Sequence, residues 1–481
     1  MAGNTRKVFL VLMLAQLVAT LDSQIVSTAL PTIIGALGGA DDFAWLVSAY
    51  ILAQCVVMPI AGKLGDLFGR RAVMVASLVI FMAGSVCCAL SWSMPALILS
   101  RSLQGLGTGG VLVSVFAINA DLFEPSRRAR FQSYLSFVFV FGSFVGPALG
   151  GALTSVAGWR TIFLVTLPLA ALSVAGLLTL LPRTGQRGQP RIDYAGAVSI
   201  ALAVAMLVVW IDSSRLFGSF LSPGSCALGV AAAIAVVLAT RIERRAPEPI
   251  LPPALLANRD FAFLSLATLC SGAVTVGLVP YYAYFLQMAH GLAPAVSGLF
   301  FIALTVGVSA GALLAGAMMA RDVSFAVPLR LSLLLTIGTL LAFAALPRDS
   351  GLLWIALVFI CQGMTVGLSM NALVFGAQVI ALPRDMGAAT GAISLARTIG
   401  AAFGVAIYGA VIALGLTRIV LPEGRAISEL TPAILDGFGL AERSGVIAAY
   451  HAAFGSLFRL AAIIAAAGFI CSCLIRRQNR G

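Results

Sequence analysis

The sequence predicts an all-α integral membrane protein of fourteen transmembrane helices, laid out as two six-helix pseudo-repeats with two central linker helices. Three observations carry this. Hydrophobic residues make up 60% of the chain and charged residues 10%, with a mean hydropathy of +1.04, far from soluble-domain composition. Apolar stretches able to cross about 30 Å of hydrocarbon recur from end to end. Backbone groups in lipid must be satisfied within their own segment, so runs this long and uniform are helices, not barrel strands. Finally, a glycine and proline pattern in the first half returns in the second.

The spans fall, in order, at 8–31, 43–62, 72–91, 95–120, 132–156, 161–181, 194–212, 224–241, 261–287, 294–320, 327–346, 352–380, 387–416 and 452–475. An even number places both termini on one side. Basic residues gather at Arg6/Lys7, in alternate loops (Lys63/Arg70/Arg71, Arg127/Arg128/Arg130, Arg183/Arg187/Arg191, Arg241/Arg244/Arg245, Arg321/Arg330) and at Arg476/Arg477/Arg480. The opposite loops hold few, mainly Arg215, Arg348, Arg418, Arg425 and Arg443. The positive-inside rule puts both termini in the cytoplasm. The formal charge of +12 is therefore a topology signal, and nothing resembles a nucleic-acid module. The first segment is too long for a signal peptide and is read as helix 1. The longest stretch outside the spans, 417–451, is expected to be an external loop with a short helix.

The repeat joins Gln104-Gly105-x-x-x-Gly109 to Gln362-Gly363-x-x-x-Gly367, an offset of 258 residues. The same offset joins Pro125 to Pro383, Gly142 to Gly400 and Gly146 to Gly404. The expected organisation is a first half over 1–193, two extra helices and a cytosolic linker over 194–260, and a second half over 261–481. Transporters built from repeats carry their substrate site near the midplane between halves that rock.

Asp22 is the carboxylate placed deepest in an apolar run, and an intramembrane charge marks a functional site by default. Desolvation favours the neutral form of a carboxyl group, the general basis on which a buried acid takes up and releases protons. After helix 2 comes Gly62-Lys63-Leu64-Gly65-Asp66-Leu67-Phe68-Gly69-Arg70-Arg71, where glycines permit a tight turn and Asp66 can pair with the arginines. Asp121, at the end of helix 4, is a further partner, and the cluster reads as a gate that holds one state. Arg101 cannot lose its charge, so its burial demands a polar or acidic partner. Gly142, Gly146 and Gly150 line one face of helix 5 for close packing, with Gly151 beside them and Pro147 as a kink site. Gln54, Gln104, Asn119, Gln287, Gln362 and Asn371 are polar groups in apolar spans, read as cavity-lining or helix–helix contacts. Arg397 has two readings: a substrate or proton-path residue, or an anchor bonded to carbonyls.

Taken together these strings resemble the major facilitator superfamily over nearly the whole chain. The loop after helix 2 is similar to its loop motif. Arg101-Ser102-Leu103-Gln104-Gly105-Leu106-Gly107 resembles the motif whose arginine the family implicates in proton transfer. Gly142 to Gly151 resembles the motif of exporters rather than importers. Asp22 with Ala29-Leu30-Pro31 looks like helix 1 of the fourteen-helix drug:proton antiporters of the EmrB/QacA type. Trp45 to Tyr50 and Gly158-Trp159-Arg160 also fit. The resemblance implies a proton-coupled exporter of lipophilic or cationic drug-like compounds in a bacterial cytoplasmic (inner) membrane. Asp22 and Arg101 would couple protons. A dedicated exporter of one metabolite, siderophore or antibiotic is the alternative on the same fold.

The partners expected are thus a small lipophilic molecule, protons and the bilayer, with no nucleic acid, nucleotide, metal or cofactor. No phosphate-binding Gly-x-x-x-x-Gly-Lys loop occurs. No paired carboxylates, metal-ligand spacing or nucleophile triad is visible, so the chain is not read as an enzyme. The eight cysteines read as small buried hydrophobes. No docking segment for a periplasmic adaptor is recognisable.

Overall fold

The computed structural model describes residues 2–37, 43–182, 193–211, 213, 217, 222–247, 249–292, 294–348, 350–416 and 440–476. Every regular element in them is helical. The chain runs α1 (Ala2–Leu37), α2 (Phe43–Phe68), α3 (Arg70–Leu90), α4 (Met94–Leu122), α5 (Pro125–Ala157), α6 (Thr161–Leu164), α7 (Leu167–Leu180), α8 (Tyr194–Ile211) and α9 (Pro223–Glu243). It continues with α10 (Pro253–Ala257), α11 (Arg259–Thr275), α12 (Val279–Tyr284), α13 (Pro294–Ala320), α14 (Ala326–Ala345), α15 (Leu352–Ile380), α16 (Met386–Leu416) and α17 (Leu440–Cys473). Thirteen helical stretches among the described residues are long and apolar enough to cross a membrane. The predicted span 132–156 lies on α5, several of whose side chains fall outside the described set.

Prolines explain where spans expected as single helices divide. The segment 161–181 forms α6 and α7, separated at Val165 and Thr166 ahead of Pro168. The segment 261–287 divides into α11 and α12 at 276–278, before Pro280, and closes in a π-helical turn over Phe285–Ala289. Proline has no N–H to give to the preceding turn, so the ladder is interrupted there. The expected loop 417–451 is corrected at its far end: α17 starts at Leu440, with Val446 and Tyr450 buried, so 440–451 is helix. Residues 417–439 lie outside the described set.

The chain forms two compact units. The first comprises Met1–Ala262 with Gly316–Val323 and Leu373–Leu395, and the second takes the remainder. In unit 1, α4 is the hub, packed on α2 and α3, while α1 packs on α5 and α7, and α8 pairs with α9 and with α2. The α4 seams are backbone to backbone. A Cβ on Gly105 would collide with the Tyr50 carbonyl, one on Gly109 would stand 2.6 Å from the Gln54 carbonyl, and one on Gly107 would collide with the Phe81 amide. In unit 2 the same device recurs: Gly363 sits on the Leu304 carbonyl, Gly367 on that of Val308, and Gly400 on that of Leu269. Its core holds an aromatic cluster that includes Tyr282, Phe285, Phe343, Phe359, Phe454 and Phe458. Tyr284 and Tyr450 share a hydroxyl hydrogen bond of 2.9 Å.

Candidate functional site

Four helices of unit 1 bring a charge cluster together in the interior. Asp22 on α1 and Arg101, two turns into α4, are 1% and 2% exposed. Arg101 Nη1 donates to Asp22 Oδ2 at 2.9 Å and to Gln104 Oε1 at 2.6 Å. Gln104 Nε2 in turn donates to Asp22 Oδ1 at 2.6 Å and to Ser85 Oγ on α3 at 2.8 Å. The i, i+3 spacing puts Arg101 and Gln104 on one face of α4. Gly84 and Gly107 bring α3 and α4 close enough for Ser85 to reach. Tyr50 on α2 lies under the guanidinium, 4.0 Å from ring centroid to Cζ, and its hydroxyl donates to Thr108 Oγ1 at 3.0 Å. A cation over an aromatic face is attracted by the ring quadrupole, so Arg101 is held by a carboxylate, an amide and a ring together.

The arrangement is a polar network in an apolar setting, in which Arg101 Nε is left without a hydrogen-bond partner among the described residues. Buried ions persist only when paired and hydrogen-bonded, and Asp22 has both. Adding a proton to Asp22 would remove the negative half of the pair and leave Arg101 with Gln104 and Tyr50 alone. Gln104, expected among cavity-lining groups, is here a ligand of Asp22. The surroundings supplied by Ser85 and Thr108 have no signal of their own in sequence, where each is one small hydroxyl in an apolar run.

The second cluster is the loop between α2 and α3. Arg70 Nη2 meets Asp66 Oδ1 at 2.8 Å, and Arg70 Nε meets Asp121 Oδ2 at 2.6 Å. Asp66 also accepts from the amides of Gly387 at 3.1 Å and Ala388 at 3.0 Å, at the start of α16. Free N–H groups and the positive end of the helix dipole both favour a carboxylate there. Gly62 makes this possible, since a Cβ would collide with the Gly387 carbonyl. Gly65 lies opposite the Arg70 side chain. Gly69 has φ 92, a left-handed turn that favours glycine and lets α3 start at once after α2. Arg71 donates to the carbonyls of Leu178 at 2.7 Å and Leu181 at 2.8 Å, at the end of α7.

The helix 5 motif is only partly a packing seam. A Cβ on Gly142 would stand 3.0 Å from Thr20, and one on Gly146 would stand 2.7 Å from Gln24, both on α1. Gly150 is buried, whereas Gly151 faces open space with no atom within 4 Å. The helix continues through Pro147, whose side chain is outside the described set.

The remaining polar residues are not brought together. Gln54 is half-buried on α2, and Gln287 is half-buried in the π-helical turn. Asn119 is fully buried on α4, with neither side-chain amide atom hydrogen-bonded among the described residues. Gln362 accepts from Thr339 at 2.6 Å, while its Nε2 has no partner among the described residues. Asn371 donates to the Ala312 carbonyl at 3.2 Å. Arg397 is half-buried on α16, and no carboxylate pairs with it among the described residues.

The family model described as Major Facilitator Superfamily matches residues 12–405. An "uncharacterized MFS-type transporter" of Mycobacterium tuberculosis is 31% identical, over 98% of this chain and 69% of the relative. The "Multidrug transporter protein MdtP" of Bacillus subtilis is 30% identical, over 83% of this chain and 74% of the relative. Among solved structures, the human organic anion transporter MFSD10 (TETRAN) aligns with a TM-score of 0.65 and 16% identity, covering 96% of this chain and 99% of that one. That last likeness is one of fold.

Proposed function

This chain belongs to the Major Facilitator Superfamily, a family of transporters rather than enzymes, and we propose that it exports lipophilic or cationic drug-like compounds in exchange for protons. We place it in a bacterial cytoplasmic membrane with both termini inside. The multidrug transporter among its relatives supports the cargo class. The observation that carries the coupling is the buried Asp22–Arg101–Gln104 network. Deprotonated, Asp22 ties α1 to α4 through Arg101. Protonated, it loses that charge pairing, and the energetic balance between alternating states shifts with proton occupancy. The Asp66–Arg70–Asp121 cluster and its cap on α16 would latch one of those states and release it in the other.

The repeat layout fits this reading. Gly142 and Gly146 lie against Thr20 and Gln24, and Gly400 and Gly404 lie against Leu269 and Ala273, a constant step of 249 residues between partners. The same step carries Asp22 onto Ser271, and the 258-residue step carries Arg101 onto Phe359. Gln362 keeps a hydroxyl partner in Thr339 as Gln104 does in Ser85, but its Nε2 has no carboxylate to serve among the described residues. Proton coupling would therefore rest on the first half alone.

The test uses purified protein in liposomes with an internal pH-sensitive dye and an imposed proton gradient. Ethidium and other lipophilic cations should drive proton flux that vanishes in Asp22→Asn while the protein stays folded. Unchanged flux in that variant removes Asp22 from the mechanism. Absence of flux with every lipophilic compound, from a folded carrier, favours a dedicated metabolite exporter.

A further inference from the structure

The sequence shows no paired carboxylates, but the fold makes a pair. Asp193 precedes α8 and Glu243 ends α9, and the packing of these two linker helices on each other sets both at one end. A Cβ added to Gly196 would collide with Asp193 Oδ2 and with Glu243 Oε1 alike, so the two oxygens converge on one side of that glycine. Glu243 is 3% exposed. Each residue spends its other oxygen on backbone: Asp193 Oδ1 accepts from the Gly196 amide at 2.8 Å, and Glu243 Oε2 accepts from the Leu251 amide at 2.9 Å. The Ile250 amide also acts on the Glu243 carboxylate, but the converging oxygens, Oδ2 and Oε1, are buried and have no hydrogen-bond donor among the described residues.

Two facing anionic oxygens, both withdrawn from water and both without a donor among the described residues, repel each other and forgo their hydrogen bonds. A single proton between them removes one charge and supplies the missing donor. We propose that Asp193 and Glu243 hold one proton between them as a carboxyl–carboxylate pair, forming a proton-binding site at the shared end of the linker helices. The proton comes from water, and only an O–H bond forms or breaks. The singly protonated pair keeps one negative charge, and Lys63 of α2, which lines a small cavity with Asp193, acts electrostatically on Glu243 and balances it. The other charged groups nearby among the described residues, Arg241, Arg244 and Arg245, are exposed. A divalent metal fits poorly, because no third acidic, histidine or cysteine ligand joins the pair among the described residues and an ammonium stands beside it. None of these residues belongs to the Asp22 network, so this inference stands apart from the transport reading.

Infrared difference spectroscopy of the full-length protein, recorded as the pH is lowered, tests it. A protonated-carboxyl C=O band present in the wild type should be lost in Glu243→Gln and in Asp193→Asn, whose amides can donate to the remaining carboxylate in the proton's place. Lys63→Gln leaves both carboxyls but removes the balancing cation, so the band should appear at higher pH. If one amide variant does not fold, the other and Lys63→Gln suffice. Spectra of the folded variants that superimpose on the wild type, with no shift in Lys63→Gln, overturn the proposal.

Discussion

Asp22 on α1 and Arg101 on α4, 79 positions apart in sequence, meet at 2.9 Å with almost no exposure to solvent. Removing either partner leaves the other charge buried and unbalanced, whereas removing both leaves a neutral site. Asp22→Asn and Arg101→Gln should each lower thermal stability in detergent. The double variant should lose less than their sum, by a coupling of about 0.5–3 kcal/mol. Strict additivity in that cycle would show the pair to be energetically independent.

Asp66 acts as a cap for α16 through two backbone amides. Loss of a side-chain cap costs about 1 kcal/mol, which corresponds to roughly a fivefold change in an opening equilibrium. In an Ala388→Cys background, Asp66→Ala should raise the rate of thiol labelling at 388 by about that factor. Labelling at an unchanged rate would mean that the cap does not restrain this helix end.

Two glycines of one motif should behave oppositely. Gly146→Ala places a methyl 2.7 Å from Gln24 Cβ and should cost about 1–3 kcal/mol of stability by overpacking. Gly151→Ala meets nothing within 4 Å and, in a helix, should be neutral or stabilising by up to about 1 kcal/mol. Melting temperatures of the two variants side by side decide this, and equal losses would contradict the seam.

His290 gives the stability a pH dependence of known sign. Burial holds its pKa below the usual 6.5, opposed by the Arg348 carbonyl and assisted by His451, whose ring centroid is 5.9 Å away. Between the lowered folded value and 6.5 the unfolded chain binds more protons than the folded one. Stability contributed by neutral His290 is therefore complete above 6.5 and falls as pH drops below it. His290→Gln should flatten that fall in a series of thermal melts, and an unaltered slope would assign it elsewhere.

What sequence makes legible here is the residue that violates its surroundings. Asp22 and Arg101 stand out because a charge is conspicuous in an apolar run, and the loop from Gly62 to Arg71 stands out by its glycine and charge spacing. Their partners are less visible. That Asp66 would cap a helix 321 positions away depends on tertiary packing, and the only local hint is Gly387, which reads as an ordinary small residue. Asp193 and Glu243 escape notice for the opposite reason: each sits at the end of an apolar run, where a lone carboxylate looks interfacial. The start of α17 is hidden because Glu442, Arg443 and Ser444 depress the hydropathy of a helical turn.

The glycine-on-carbonyl seams of α4 and α15 separate two tasks that most helices must share. Where helices meet through main chain, the contact is the same for any sequence that keeps its glycines, and no rotamer has to be frozen to make it. Side chains elsewhere on those helices are released from holding the bundle together. Substitutions there can retune what the protein recognises without renegotiating how it folds, so a lineage built on such seams can diversify its cargo one residue at a time.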